Sequence, residues 1–71
     1  MKLKDFRTYT AGLSQKELAQ QAGIAKSTVA AIEQGKPFRP LTAGKILAAL
    51  SKHVGRPVDR SEIDEFKEPH D

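Results

Sequence analysis

The sequence predicts an all-α fold, a compact bundle of about five short helices. Three observations lead there. Apolar residues recur three and four positions apart along most of the chain, the spacing of a helix face. Gly12, Gly23, Gly35 and Gly55 punctuate that pattern at helix-length intervals. The chain has 71 residues and no cysteine, so neither a disulfide nor a cysteine metal site can reinforce a small core. Helices with short connections suit such a chain because they satisfy their own backbone.

The first helix is expected over residues 2–11, with Leu3 and Phe6 on its inner face, Tyr9 or Thr10 completing it, and Gly12 ending it. Ser14 begins the second, over residues 15–22; Glu17 stands three positions on, the reciprocal capping box. Leu18, Ala19 and Ala22 form its apolar stripe. Gly23 follows the last periodic residue, where a left-handed backbone is needed and glycine adopts it without strain. Ile24 plugs the turn. Val29 and Ile32 face inward from a third helix, residues 26–34, which stops at Gly35. Ala19 matters for its size, because a larger side chain would keep the two helices from crossing closely. Residues 14–34 thus spell a helix-turn-helix.

The loop over residues 35–40 holds Pro37 and Pro40, which donate no backbone hydrogen bond and restrict the residues before them. A fourth helix is expected over residues 42–52, its stripe formed by Ala43, Ile46, Leu47 and Leu50 and continued by Val54. Gly44 inside it costs about 1 kcal/mol relative to alanine, which suggests a close helix contact there. Gly55-Arg56-Pro57 breaks the chain. Asp59 and Glu62 can form a second capping box, opening a short helix to about Phe66 with Ile63 and Phe66 inward. The reading is one domain, residues 1–66, with residues 67–71 a flexible tail.

Charge is unevenly placed. Residues 1–60 carry 11 Lys/Arg against 4 Asp/Glu, and residues 61–71 carry one lysine against five acids, so a body of +7 is followed by a tail of −4. A basic body invites a polyanion, although surface lysines also serve plain solubility. No apolar run approaches the roughly 18 residues that span a bilayer, and the N-terminus lacks the apolar core of a signal peptide, so a cytoplasmic location is expected. An enzyme is not expected. Cysteine, a glycine-rich phosphate loop and metal-ligand spacing are all missing, and His53 and His70 stand 17 positions apart without companions. No cofactor is implied.

Residues 13–50 resemble the DNA-binding domain of the phage repressor and Cro family of bacterial and phage transcriptional regulators. The match runs through Ser-Gln-Lys-Glu-Leu-Ala, Ala-Gly-Ile, Ser-Thr-Val, Ile-Glu-Gln-Gly-Lys and Lys-Ile-Leu-Ala-Ala-Leu, in the family's order and without gaps. The resemblance implies a lambda-repressor-like fold. It also implies that the third helix enters the major groove of double-stranded DNA while the second lies across the backbone.

If Val29 and Ile32 face the core, Lys26, Ser27, Ala30 and Ala31 point away from it, with Thr28 at the edge. Base contacts then fall to Lys26, Ser27, Thr28 and Ala31. Lys26 can donate to guanine O6 and N7, Ser27 can serve several bases, and Ala31 can meet only an apolar group such as the thymine methyl. So sparse a surface leaves part of the specificity to DNA shape. Ser27 and Thr28 also suit a helix start as capping residues.

Phosphate contacts are expected from Gln15, Lys16, Lys36 and Arg39. Gln15 stands at a helix N-terminus, where free N–H groups and the dipole favour an anion, and the family places a glutamine there. Lys36 and Arg39 lie in a loop that two prolines would stiffen. The family also pairs an acid at the position of Glu33 with an arginine of the first helix. Arg7 is the candidate here, but it stands one residue further from the second helix than the family spacing, which counts against the pair.

One such domain covers few base pairs, so a homodimer on half-sites roughly 34 Å apart is expected. The family pairs through its C-terminal part, which makes Pro57, Val58, Ile63 and Phe66 the apolar candidates; they can equally close the monomer's own core. The rival function is an antitoxin that neutralises a toxin partner and autoregulates its operon, for which only the last dozen residues are available. An interaction module without DNA binding is a third reading, and Lys26 speaks against it.

Overall fold

A computed structural model describes residues 1–67 of the chain. The all-α expectation holds, with no strand among the described residues. The elements are α1 (Leu3–Asp5), which runs directly into a π-helical stretch (Phe6–Ala11), then α2 (Gln15–Ala22), α3 (Lys26–Glu33), α4 (Pro40–Val54), a 3₁₀ turn (Arg60–Glu62) and α5 (Asp64–Lys67). Helices α2 and α3 cross each other, and α2 and the π-helical stretch also pack on α4.

The first helix differs from expectation in kind. Its second half is π-helical, and the Arg7 carbonyl accepts from Gly12 N–H, five residues on, and from Leu13 N–H at 2.9 Å. The wider turn changes which side chains face inward. Arg7 and Ala11 are buried, while Tyr9 is 82% exposed and Thr10 lies outside as well, so neither completes the inner face.

Helices α2 and α3 lie where the sequence places them. The Ser14–Glu17 capping box is present in both directions, with Glu17 N–H donating to Ser14 Oγ at 3.0 Å and Ser14 N–H donating to Glu17 Oε1 at 2.9 Å. Gly23 adopts φ +71°, and Ile24 N–H donates back to the Ala19 carbonyl at 3.0 Å. The core gathers Leu3, Phe6, Leu13, Leu18, Val29, Ile32, Ile46 and Leu50, with Ala19 small and buried between the crossing helices.

Helix α4 starts two residues earlier than expected and ends two later. Pro40 is its first residue, where a missing N–H costs nothing, and Arg39 before it takes the extended backbone that a following proline demands. The close contact expected at Gly44 is absent: a Cβ there would meet no heavy atom within 4 Å. Ser51 Oγ donates to the Leu47 carbonyl at 2.7 Å and accepts from Val58 N–H at 2.8 Å, so the returning chain is tied to α4.

The Asp59–Glu62 capping box forms, but the short helix it opens is interrupted. Ile63 is extended and buried, and it separates the 3₁₀ turn from α5. Three of the four dimer candidates belong to the monomer's own core: Val58 is 6% exposed, Ile63 0% and Phe66 3%. Burying them is how so short a chain completes its core, and only Pro57 of the four stays outside. Lys67 ends α5, and the rest of the expected tail, with His70, lies outside the described residues.

Candidate nucleic-acid interface

Helix α3 divides cleanly into two faces. Val29 and Ile32 are 0% and 1% exposed, whereas Lys26 and Ser27 are exposed and Thr28, Ala30 and Ala31 are half-buried. Its N-cap is Ala25, which offers no side-chain acceptor, so Ser27 and Thr28 do not serve as caps. At its other end Gly35 takes φ +85° and Lys36 N–H donates to the Ala31 carbonyl at 3.0 Å, turning the chain out of the helix.

Beside this face runs an open groove of about 530 Å³. Ser27, Thr28, Ala31 and Ile32 line it from α3, and Pro37, Phe38, Arg39 and Thr42 line it from the connection and the first turn of α4. Three of the expected base-contact residues therefore share a groove with one expected phosphate-contact residue. Lys26, Lys16 and Lys36 are exposed but do not line it.

The base of α3 is fastened by a polar network. Arg7 Nε donates to Glu33 Oε2 at 2.7 Å and Arg7 Nη2 to Glu33 Oε1 at 3.1 Å, while Arg7 Nη1 donates to the Leu13 carbonyl at 2.8 Å. Both side chains are buried, at 9% and 6% exposure. The extra residue between Arg7 and α2, which counted against this pair in the sequence, is absorbed by the π-helical turn. Gln15 joins the network, its Nε2 donating to Glu33 Oε1 at 3.0 Å. One amide hydrogen is thereby used within the fold, and a second remains for another acceptor. Burial pushes the Glu33 carboxyl up, but hydrogen bonds from Arg7 and Gln15 and the charges of Arg7 and Lys4 outweigh it and hold the carboxyl below its ordinary value.

Two groove residues escape sequence reasoning. Phe38 lies between prolines in a segment read as a plain loop, yet its ring packs edge-on against Phe66 with centroids 5.1 Å apart and planes at 76°. The signal was an aromatic side chain in a connection too short to leave it in water. Thr42, expected to begin α4, lies inside its first turn and lines the groove.

A helix-turn-helix family model matches residues 3–56, most of the chain. The chain belongs to that family. It is the Cro and phage-repressor type of helix-turn-helix domain, a DNA-binding and non-enzymatic class. The comparisons with curated proteins and with solved structures return no match. The match spans α1 to α4 and the two residues after them; the 3₁₀ turn and α5 of this helix-turn-helix protein lie beyond it. Among the described residues no helix is long and apolar enough to cross a membrane.

Proposed function

We propose that this helix-turn-helix protein is a sequence-specific regulator of transcription, a repressor, that reads a double-stranded operator in the major groove with α3 and acts as a homodimer. The observation that supports this most is the groove. Ser27, Thr28 and Ala31 line it beside the buried Ile32, and Arg39 lines it from the next connection. Lys26, Ser27, Thr28 and Ala31 are assigned to bases. Gln15, Lys16, Lys36 and Arg39 are assigned to phosphates, Gln15 through the amide hydrogen that Glu33 does not take.

Pairing of two copies must use side chains that the monomer leaves outside. Pro57 and Leu41, the latter 70% exposed on the first turn of α4, are apolar residues that remain there. Within the last dozen residues, which a toxin partner would need, Ile63 and Phe66 are engaged in the chain's own core, which favours the regulator over the antitoxin.

Selection of bound duplexes from a random pool tests the proposal, followed by amide-shift mapping of the winning duplex. The expected result is an enriched, two-fold symmetric sequence with half-sites about 34 Å apart, and shifts concentrated at residues 26–31. A pool that yields no enriched sequence, or a duplex that leaves those residues unshifted, overturns it.

A further inference from the structure

We propose that Phe66 is a positioning residue for DNA binding: its ring sets the place of the loop that carries Lys36 and Arg39. The inference rests on the reading of Arg39 as a phosphate contact. Between α3 and α4 the chain runs through Lys36, Pro37, Phe38 and Arg39, and of these four only Phe38 packs its side chain against the core. Among the described residues neither Lys36 nor Arg39 has an ion pair. The loop's backbone is tied at its two ends, Lys36 N–H donating to the Ala31 carbonyl at 3.0 Å and Ala43 N–H to the Arg39 carbonyl at 3.2 Å, and its side-chain anchor between them is Phe38, whose ring makes a T-shaped contact with Phe66 at 5.1 Å.

Phe66 comes from outside the family match, which ends at residue 56. It is 3% exposed and is brought into place by contacts at the other end of the chain. Asp64 N–H donates to the Met1 carbonyl at 2.8 Å, the Met1 amine lies 3.0 Å from Asp64 Oδ1, and Leu3 N–H donates to Glu65 Oε1 at 2.8 Å. The first and last described elements are clasped together, and the clasp sets the Phe66 ring against that of Phe38. A loop so held has fewer conformations to give up when Arg39 meets a phosphate.

The test uses the full chain and a mixed-sequence duplex, since phosphate contacts are independent of sequence. Wild type, Phe66→Leu, Phe38→Leu, Arg39→Ala and the double variant Phe66→Leu/Arg39→Ala are compared for affinity at several salt concentrations. A thermal melt establishes that each is folded at the assay temperature. Phe66→Leu is expected to weaken binding about threefold to tenfold, the range of an aromatic pair. The salt slope is expected to fall by about one, with Arg39→Ala costing little more in that background. If Phe66→Leu does not fold, Phe38→Leu and the double variant Phe38→Leu/Arg39→Ala decide by the same readings. Arg39→Ala costing as much with Phe66→Leu as without it overturns the role of Phe66 and leaves Arg39 a phosphate contact. Arg39→Ala binding like wild type removes the phosphate reading itself, and the proposal with it.

Discussion

Arg7 and Glu33 form a two-point ion pair, Nε to Oε2 at 2.7 Å and Nη2 to Oε1 at 3.1 Å, that joins the first helical stretch to the end of α3. Both side chains are almost out of solvent. Only a planar guanidinium can fill both carboxylate oxygens and still reach the Leu13 carbonyl. Removing one partner strands the other. Arg7→Ala is expected to lower stability by about 3–5 kcal/mol, a large part of the roughly 4–10 kcal/mol open to a domain of this size. Replacing both, as Arg7→Met with Glu33→Leu, is expected to recover much of the loss. Urea unfolding checks both, and a double variant no better than Arg7→Ala would contradict the account.

The same carboxylate fixes the sense of a pH effect. Glu33 is held below its ordinary value of 4.5 in the folded chain. Its contribution is thus complete above that value and is lost as pH falls through the depressed one. Glu17, Asp59, Glu62 and Asp64 are lowered too, by hydrogen bonds from Ser14, Ser61, Arg56 and the chain's amino group in turn. The acid limb therefore has several members. Glu33→Gln is expected to be less stable above about pH 4.5 and to lose stability less steeply below it, by up to one proton's worth of slope, so that the two proteins converge in acid. Urea unfolding at a series of acidic pH values measures this, and parallel curves for the two proteins would count against it.

Ser14, Glu17, Gly23, Val29 and Ile32 announced α2, the turn and α3 because capping, left-handed backbone and helix period are local properties. The π-helical turn was not legible, because Leu3 and Phe6 fit an α-helical face equally well and the difference lies in where Arg7 finds Glu33. Local pattern was equally silent on Val58, Ile63 and Phe66: an apolar residue after the last long helix looks the same whether it covers its own core or a neighbour's. Of the candidate interface, Ser27, Thr28, Ala31 and Arg39 share the groove, while Phe38 and Thr42 entered it only through the path of the α3–α4 connection.

The π-helical turn carries a prediction of its own. It accommodates one more residue than an α-turn between Arg7 and α2, and Tyr9 within it is 82% exposed. Deleting Tyr9 is expected to convert the stretch to α-helix while keeping the Arg7–Glu33 pair, at a cost below about 1 kcal/mol. Deleting the buried Ala19 from α2 is the control and is expected to prevent folding. A thermal melt distinguishes the outcomes; an unfolded Tyr9 deletion would show that the wide turn is required and not merely tolerated.

Gly44 offers a gain. It lies inside α4, exposed, with open space where a Cβ would go. Alanine there restricts the unfolded chain without crowding the folded one, so Gly44→Ala is expected to add about 0.5–1 kcal/mol and raise the melting temperature by several degrees. Unchanged DNA affinity should accompany it, because Gly44 does not line the groove. A melting temperature that stays put or falls would point to a contact made by Gly44 outside the monomer.

The two kinds of DNA contact proposed for the interface should separate in a salt titration. Lys26 is exposed on the first turn of α3 and is assigned to a base edge; Arg39 faces the same groove from the connection to α4 and is assigned to a phosphate. Lys26→Ala is expected to cost about 1–3 kcal/mol on the selected operator and far less on a scrambled duplex, so the ratio of the two affinities falls. Arg39→Ala is expected to weaken both duplexes alike and to flatten the dependence of log affinity on log salt by about one. Fluorescence anisotropy with both duplexes at two salt concentrations measures all four quantities. Equal losses on both duplexes for Lys26→Ala would move that lysine to the backbone, and an unchanged salt slope for Arg39→Ala would take the arginine off it.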